Sequence, residues 1–199
     1  SSSLISSNVY TVKEIAPNAL TKGNEFFDEN VGITSVSLPN SLTKINAFAF
    51  YCCRLKDITI PDSVVNIGDY AFAYCQLAET LNLGSGVQTI GEEAFRCLEK
   101  VNTITIPNNV TSIGERAFME CSELKSVTLG NSASSIGESA FSSCSNLTTI
   151  TIEAINPPTL ANYAIPSGVT AIYVPKVSVG AYKTADGWKN FADKIQAIA

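Results

Sequence analysis

The sequence predicts an α/β repeat solenoid, a fold built by stacking copies of one short unit. Three observations carry this prediction. An Ala-Phe pair recurs at intervals of 22 or 23 residues, aliphatic residues alternate with polar ones upstream of each pair, and a proline or glycine follows the alternating stretch. The five pairs are Ala49-Phe50, Ala71-Phe72, Ala94-Phe95, Ala117-Phe118 and Ala140-Phe141. One unit offers too little apolar surface to fold alone, so its copies must stack.

The full unit reads L-x-x-I-x-I-P-x-x-V-x-x-I-G-x-x-A-F-x-x-C. A period in the low twenties with alternating aliphatic residues is typical of leucine-rich repeats. We therefore predict a right-handed leucine-rich-repeat superhelix. It has a parallel β-sheet on one face, and short second strands and helices of one to two turns on the other.

Each part of the unit has a physical reason. The I-x-I portion has a period of two, which predicts a short strand with one buried face. The proline ends this strand because it fixes φ and lacks an N–H group. The small residue after the second aliphatic portion predicts a left-handed backbone. These small residues are Asn46, Gly68, Gly91, Gly114 and Gly137.

The stretch around each Ala-Phe pair predicts the helical turn. Acidic residues precede the pair, where carboxylates suit the positive end of a helix, and we interpret them as a solvated helix start. They are Asp69, Glu92, Glu93, Glu115 and Glu138. The phenylalanines themselves should form one column and the thickest part of the core.

The six cysteines follow the repeat. Cys53, Cys75, Cys121 and Cys144 come three residues after a column phenylalanine, Cys97 comes two after Phe95, and Cys52 is an extra neighbour. We interpret them as buried free thiols that act as small hydrophobic groups. Strand spacing leaves a disulfide open by distance, although parallel Cβ vectors make one awkward. The chain has no C-x-x-C motif and no histidine, so we expect no metal and no cofactor.

The pattern weakens at both ends, which sets the expected organisation. Residues 1–11 are a ragged lead-in, residues 12–175 form the solenoid, and residues 176–199 form a C-terminal cap. At the start, Ile15, Ala19 and Leu20 match the Ile, Ala and Phe positions, and Phe26 and Phe27 are expected to cover the open end.

Regular units are expected from Ile33 to about Leu147, followed by a strand over 148–152. Leu160, Ala164 and Ile165 keep the Ile, Ala and Phe spacing, and 169–174 is the last expected strand. The cap is predicted to hold short helices over 178–184 and 187–193, with Trp188 as a plug.

Charge and composition exclude several classes of function. The net charge of −5 argues against nucleic acid as a partner, and no apolar run is long enough to insert into a membrane. Without histidine, Ser-His-Asp and Cys-His catalysis are excluded. Ser41 and Lys44 match the S-x-x-K acylation motif, but neither S-D-N nor K-T-G follows. We therefore expect a protein that is not an enzyme.

The outward side of the I-x-I strands is the candidate binding face. Its residues are Asp57, Thr59, Thr80, Asn82, Thr103, Thr105, Ser126, Thr128, Thr149, Thr151 and Tyr173. Three interpretations are open. Threonine favours strands and has to face water somewhere; the face binds an extended protein or glycan through hydrogen bonds; or the T-x-T ladder binds ice, which would need a flat sheet.

The repeat phrase resembles the BspA-like (Treponema pallidum type) leucine-rich repeats. The ending IYVPKVSVGAYKTADGWKNFADKIQAI is similar to the C-terminal cap of such proteins from gut and oral anaerobic bacteria. The resemblance covers about residues 12–199, with Asn46 for glycine, Gly84 and Gly130 for proline, and Ala133 for valine as departures. It implies a secreted or surface-anchored protein and offers no catalytic residues to transfer. Some members bind fibronectin or fibrinogen, or mediate adhesion.

We therefore expect a non-catalytic protein-interaction or adhesion module at the outer cell surface or outside the cell. Its expected partners are host matrix proteins, of the fibronectin or fibrinogen kind, or glycans, bound through the sheet face by a monomer. The export signal or anchor is expected to lie outside this sequence, since the first residues lack a basic segment and an apolar core. The alternative is a structural scaffold or spacer in a larger surface protein.

Overall fold

A computed structural model describes residues 13–16 and 33–199 of the chain. The strands in chain order are β1 (Glu14–Ile15), β2 (Lys44–Ile45), β3 (Asp57–Thr59), β4 (Asn66–Ile67), β5 (Thr80–Asn82), β6 (Thr89–Ile90), β7 (Thr103–Ile106), β8 (Ser112–Ile113), β9 (Ser126–Leu129), β10 (Ser135–Ile136), β11 (Thr149–Ile152), β12 (Thr159–Leu160), β13 (Ala171–Val174) and β14 (Ile195–Ala197). Each described strand pairs parallel to its neighbours. The predicted α/β repeat solenoid is confirmed.

The two-residue strands form one continuous sheet in the order β1-β2-β4-β6-β8-β10-β12. Their second residues lie in register and make a single aliphatic column. The column runs through Ile15, Ile45, Ile67, Ile90, Ile113, Ile136 and Leu160. The short second strands, the worn first unit at Ile15 and the altered unit at Leu160 therefore follow the prediction.

The longer I-x-I strands form two separate sheets, β3-β5 and β7-β9-β11-β13-β14. In β7, Ile104 and Ile106 are buried while Thr103 and Thr105 are exposed, as a period of two requires. The expected strand of the first regular unit is absent, because residues 33–38 have no strand in the structure.

The turn side differs from the prediction. Residues 33–175 contain no helix; successive turns surround each Ala-Phe pair instead. Tyr70 N–H donates to Glu92 O of the next unit (2.8 Å), whereas Ala71 N–H donates back to Gly68 O (3.3 Å). A helix would spend every N–H group along its own axis. The turns instead use alternate N–H groups to join neighbouring units.

These turns place non-glycine residues at positive φ. They are Phe48, Tyr70, Glu93, Arg116 and Ser139 before the Ala-Phe pairs, and Cys52, Tyr74, Cys97, Glu120 and Ser143 two residues after the phenylalanines. The predicted left-handed backbone at the small residues was therefore wrong. The glycines are needed for close approach instead: a Cβ on Gly68 would lie 2.6 Å from Ala47 N, and a Cβ on Gly114 would lie 2.5 Å from Gly91 C.

The predicted phenylalanine column is confirmed. The five rings stack nearly parallel and are at most 2% exposed. Successive centroids, from Phe50 to Phe141, are 4.9, 5.5, 5.3 and 5.3 Å apart. These are among the largest fully buried side chains of the core. Fixed sequence spacing has become physical stacking, as expected for a solenoid.

The thiols lie beside the rings. All six cysteines are free in the structure, and all but the half-buried Cys52 are buried. Cys75 Sγ contacts Phe50 O at 3.2 Å and Cys144 Sγ contacts Phe118 O at 3.1 Å, so the buried S–H groups have acceptors. In the unit with the displaced Cys97, Leu98 fills the inward position and is fully buried.

The last residues close the C-terminal end of the core. They form a 3-10 helix (Lys176–Ser178), α1 (Val179–Thr184), a second 3-10 helix (Trp188–Lys194) and β14. Trp188 is fully buried and its Nε1–H donates to Pro158 O at 2.7 Å. The expectation that 169–174 is the last strand was wrong, because Ile195 pairs with Ile172. Predictions about residues 1–11, Ala19, Leu20, Phe26 and Phe27 lie outside the described residues.

Candidate functional site

The strand registers align the candidate face in two columns. Thr103, Ser126, Thr149 and Ala171 lie side by side, as do Thr105, Thr128, Thr151 and Tyr173. Asp57 pairs with Thr80 and Thr59 with Asn82 in the smaller sheet. The outward residues of β3, β5 and β7 are exposed, and those of β9, β11 and β13 are half-buried.

The two columns are interrupted between β5 and β7, which do not pair. We call this interval the seam. Behind it, β4, β6 and β8 pair without a break, and the rings of Phe72 and Phe95 stay stacked at 5.5 Å. The solenoid therefore opens only on its sheet face.

Proline explains the seam. Gly130 N–H donates to Ile106 O (3.0 Å) and Glu153 N–H donates to Leu129 O (2.9 Å), so both residues anchor their strand to the preceding one. The equivalent residue after β7 is Pro107, which has no N–H to give. Pro61 after β3 repeats the case, because β3 has no partner on its N-terminal side among the described strands. Pro175 after β13 is milder, since three residue pairs remain.

A depression of about 620 Å³ lies at the seam, and we call it the seam cleft. It is lined by Asp62, Glu79, Thr80, Leu81, Asn82, Leu83, Ser85, Asn102, Thr103, Thr105, Pro107, Asn108 and Asn109. This volume lies within the range of small-ligand sites. Four candidate residues, Thr80, Asn82, Thr103 and Thr105, are brought together here. The candidate residues on β9, β11 and β13 lie outside the cleft.

Hydrogen bonds fix one end of the seam cleft, where the strands turn. Asp62 Oδ1 accepts from Ser85 N (2.7 Å) and Ser85 Oγ (3.0 Å), and these bonds hold the pKa of Asp62 below its usual value. Asn109 Nδ2 donates to Ser85 O at 2.8 Å, which ties the next unit to the same turn. This end of the cleft is therefore preorganised, and its carboxylate stays ionised at neutral pH.

The chemistry of the cleft is that of a binding surface. Its lining combines amides and hydroxyls, which both donate and accept hydrogen bonds, with the carboxylates of Asp62 and Glu79. Glu79 forms no ion pair with the described residues, and no described lining residue is a lysine or arginine. The described residues also contain no group of three or more metal-binding side chains placed to hold an ion.

Sequence analysis missed a charged network on the turn side. Glu93 was expected to be solvated, but it is only 4% exposed. Arg96 Nη1 contacts Glu93 Oε2 at 2.9 Å, Arg96 Nη2 contacts Glu120 Oε1 at 2.8 Å, and Arg116 Nη1 contacts Glu93 Oε1 at 3.5 Å. The available signal was that these charges occupy neighbouring positions in consecutive units. A buried carboxylate needs such partners.

Cys97 extends this network without becoming reactive. Its Sγ donates to Glu120 Oε2 at 3.0 Å. Burial, together with this hydrogen bond, raises the pKa of Cys97 to about 12, so the thiol stays protonated at neutral pH. A thiolate, and not a thiol, is the nucleophile in cysteine chemistry. The network is therefore structural, and it tethers three consecutive units.

Stacked units of 22 or 23 residues, each adding one strand to a parallel sheet, define a leucine-rich-repeat protein. The chain belongs to the BspA type leucine-rich repeat family, whose profile matches six copies over residues 11–110 and 88–175. No curated protein sequence matches the chain significantly.

Several solved structures share the fold. A leucine-rich repeat protein of Treponema pallidum is 26% identical with a TM-score of 0.59, over 84% of this chain and 87% of that one. The pneumococcal vaccine antigen PcpA is 20% identical (TM-score 0.57), over 80% of this chain and 38% of that one. A leucine-rich cell surface protein of Faecalibacterium prausnitzii is 21% identical (TM-score 0.51), over 94% and 58%. This chain therefore spans only part of the length of the last two proteins.

Among the described residues, no helix has the length and apolar character needed to span a bilayer.

Proposed function

We propose that this chain is a non-catalytic interaction module that acts at the outer cell surface or outside the cell. It binds an extended protein segment or a glycan through its sheet face. The observation that carries the proposal is the seam cleft, where outward side chains of β5 and β7 surround an open, polar depression. Family membership supports it, because relatives with this fold include a cell surface protein and a vaccine antigen.

The lining favours binding over catalysis. Its groups are mostly hydroxyls and amides, and its carboxylates are those of Asp62, already hydrogen-bonded to Ser85, and Glu79. Neither a nucleophile paired with a base nor a histidine is available for acid-base work. Neutral donors and acceptors on a rigid sheet suit reversible recognition of peptide groups or sugar hydroxyls.

The test is a triple substitution on the face, Thr105→Lys, Thr128→Lys and Thr151→Lys. Three long cationic side chains would cover the column, so binding to immobilised fibronectin, fibrinogen or a glycan array should fall at least tenfold. The control is Thr111→Lys, Ser134→Lys and Thr159→Lys, which adds the same charge at exposed positions on or beside the second sheet. Unchanged binding in the face variant, with equal melting temperatures, would refute the sheet-face site.

A structural spacer is the alternative function. The observation favouring it is that the chain covers only 38% of PcpA and 58% of the Faecalibacterium protein, so binding could reside in other regions of a longer chain. The same binding assays separate the two functions. A spacer would capture none of the matrix proteins or glycans, whereas an interaction module would retain at least one of them through the sheet face.

A further inference from the structure

The seam cleft differs from the rest of the sheet face in charge. Its lining carries the carboxylates of Asp62 and Glu79, and Asp57 stands beside it, where its Oδ1 accepts a hydrogen bond from Thr80 Oγ1 at 2.7 Å. No described residue of the lining is basic. In contrast, the outward residues of β9, β11 and β13 are uncharged. The cleft is thus the part of the face where a cation would be attracted.

The cleft also differs in backbone pairing. β5 and β7 each pair on one side only, so the edges that face each other across the seam have no strand partner. A strand edge presents alternating N–H and C=O groups, which match the backbone of an extended peptide. A sugar would not satisfy this alternation, and a neutral ligand would leave Glu79 without a counter-charge. Together the two features favour a polypeptide over a glycan.

The length of the cleft fits a short extended segment. Glu79 stands before β5, and Asp62 and Ser85 stand at the turn beyond the strand ends. At about 3.3 Å per residue, the lining from residue 79 to residue 85 spans about 20 Å, which is enough for roughly five or six extended residues. The volume of about 620 Å³ leaves room for side chains as well as backbone.

We infer that the seam cleft binds an extended polypeptide segment and receives one of its lysine or arginine side chains between Glu79 and Asp62. This inference rests on the proposed function and names the chemistry of its partner. The carboxylates act as the cation-binding groups, while the unpaired edges of β5 and β7 and the surrounding amides meet the peptide backbone. Specificity for a basic residue comes from the absence of any competing cation in the described lining.

The experiment compares two synthetic peptides by fluorescence polarisation at low and at physiological salt. One contains Thr-Lys-Thr-Lys-Thr between glycines, and the other has glutamine in place of each lysine. We expect the lysine peptide to bind at least fivefold more tightly and to weaken as salt rises, because exposed ion pairs are screened. Glu79→Gln should weaken its binding about threefold to fivefold, and adding Asp62→Asn should make the loss about tenfold or more.

Matched controls separate charge from structure. Glutamine and asparagine keep the size of the original side chains, and the asparagine oxygen can still accept from Ser85 N. Glu138→Gln removes one exposed charge on the turn side and should leave peptide binding unchanged. Thr105→Lys, within the cleft, should block the lysine peptide by supplying its own ammonium, whereas Thr151→Lys, outside it, should reduce binding less.

Equal binding of the two peptides, an unaffected double variant, or no binding of the lysine peptide at all would overturn the inference. The proposed function would survive these results if the triple face variant still lost binding to a matrix protein or glycan. If that variant also bound every ligand normally, both would fail.

Discussion

Glu120 shows how a single side chain couples consecutive units. Its carboxylate accepts from Cys97 Sγ and from Arg96 Nη2, at 3.0 and 2.8 Å. The hydrogen bond from Cys97 lowers the pKa of Glu120 below 4.5, and Arg96 adds to this against a smaller opposing effect of burial. The charged form is therefore preferred in the folded state.

This arrangement predicts a pH dependence of stability. A depressed folded-state pKa stabilises the protein above the unfolded-state value, and this stabilisation is lost as pH falls through the folded-state pKa. The wild type should melt at a higher temperature than Glu120→Gln at pH 7, and the difference should shrink towards pH 3. Thermal melts in matched buffers measure it. A gap that widened on acidification would contradict the expected sign.

The glycine column has a second consequence at the residue scale. A Cβ on Gly114 would meet Gly91 backbone atoms at 2.5 Å, which a real Cβ does not tolerate. Gly114→Ala should therefore force neighbouring units apart and lower the free energy of unfolding by about 1–3 kcal/mol. Chemical denaturation measures the loss.

The matched control for this substitution is Gly180→Ala, where a Cβ would meet nothing within 4 Å. Because Gly180 lies in α1, alanine there should be neutral or slightly stabilising. Equal effects at the two positions would show that close approach is not the reason for glycine at position 114.

At the scale of elements, the stacked rings are the main source of core burial. Phe118 is fully buried, and its ring lies 5.3 Å from those of both Phe95 and Phe141. Phe118→Ala would leave a cavity within the column and should cost about 3–5 kcal/mol of unfolding free energy. Met119→Ala, at the next and partly exposed position, should cost much less. A loss below about 1 kcal/mol for Phe118→Ala would conflict with its burial.

Elements defined by spacing could be predicted from the sequence, and those defined by bonds between units could not. A 23-residue interval necessarily stacks Phe95 on Phe118, so the ring column was predictable. The turns were mistaken for helices because their N–H partners lie one unit away. β14 had a visible signal that was missed: Ile195 follows Ile172 by the same 23 residues, although a tryptophan-containing segment intervenes.

The candidate site was only partly predictable for a related reason. Alternation identified outward residues such as Thr80 and Thr105, but it treated every strand as equivalent. The seam depends on whether the residue after a strand has an N–H group to donate, and Pro107 does not. Proline was read as the end of its own strand, whereas its larger effect falls on the pairing with the preceding unit.

At the scale of the whole molecule, neighbouring units are joined by both sheets, by the turns and by the side-chain network. The second sheet runs unbroken from β1 to β12 across the seam. The molecule therefore combines a continuous, rigid back with a front that is divided into two parts. A divided front on a rigid back is a suitable way to hold a recognition site open without weakening the core.

The plug at Trp188 restricts how such a protein can change in length. With the C-terminal end sealed by an indole whose N–H is already bonded to Pro158 O, another layer cannot be appended beyond it. Growth or shrinkage has to occur upstream of the plug and in whole units. A single extra residue inside a unit would put every later ring, glycine and thiol out of step with its neighbour, whereas 23 extra residues would leave each with an equivalent one.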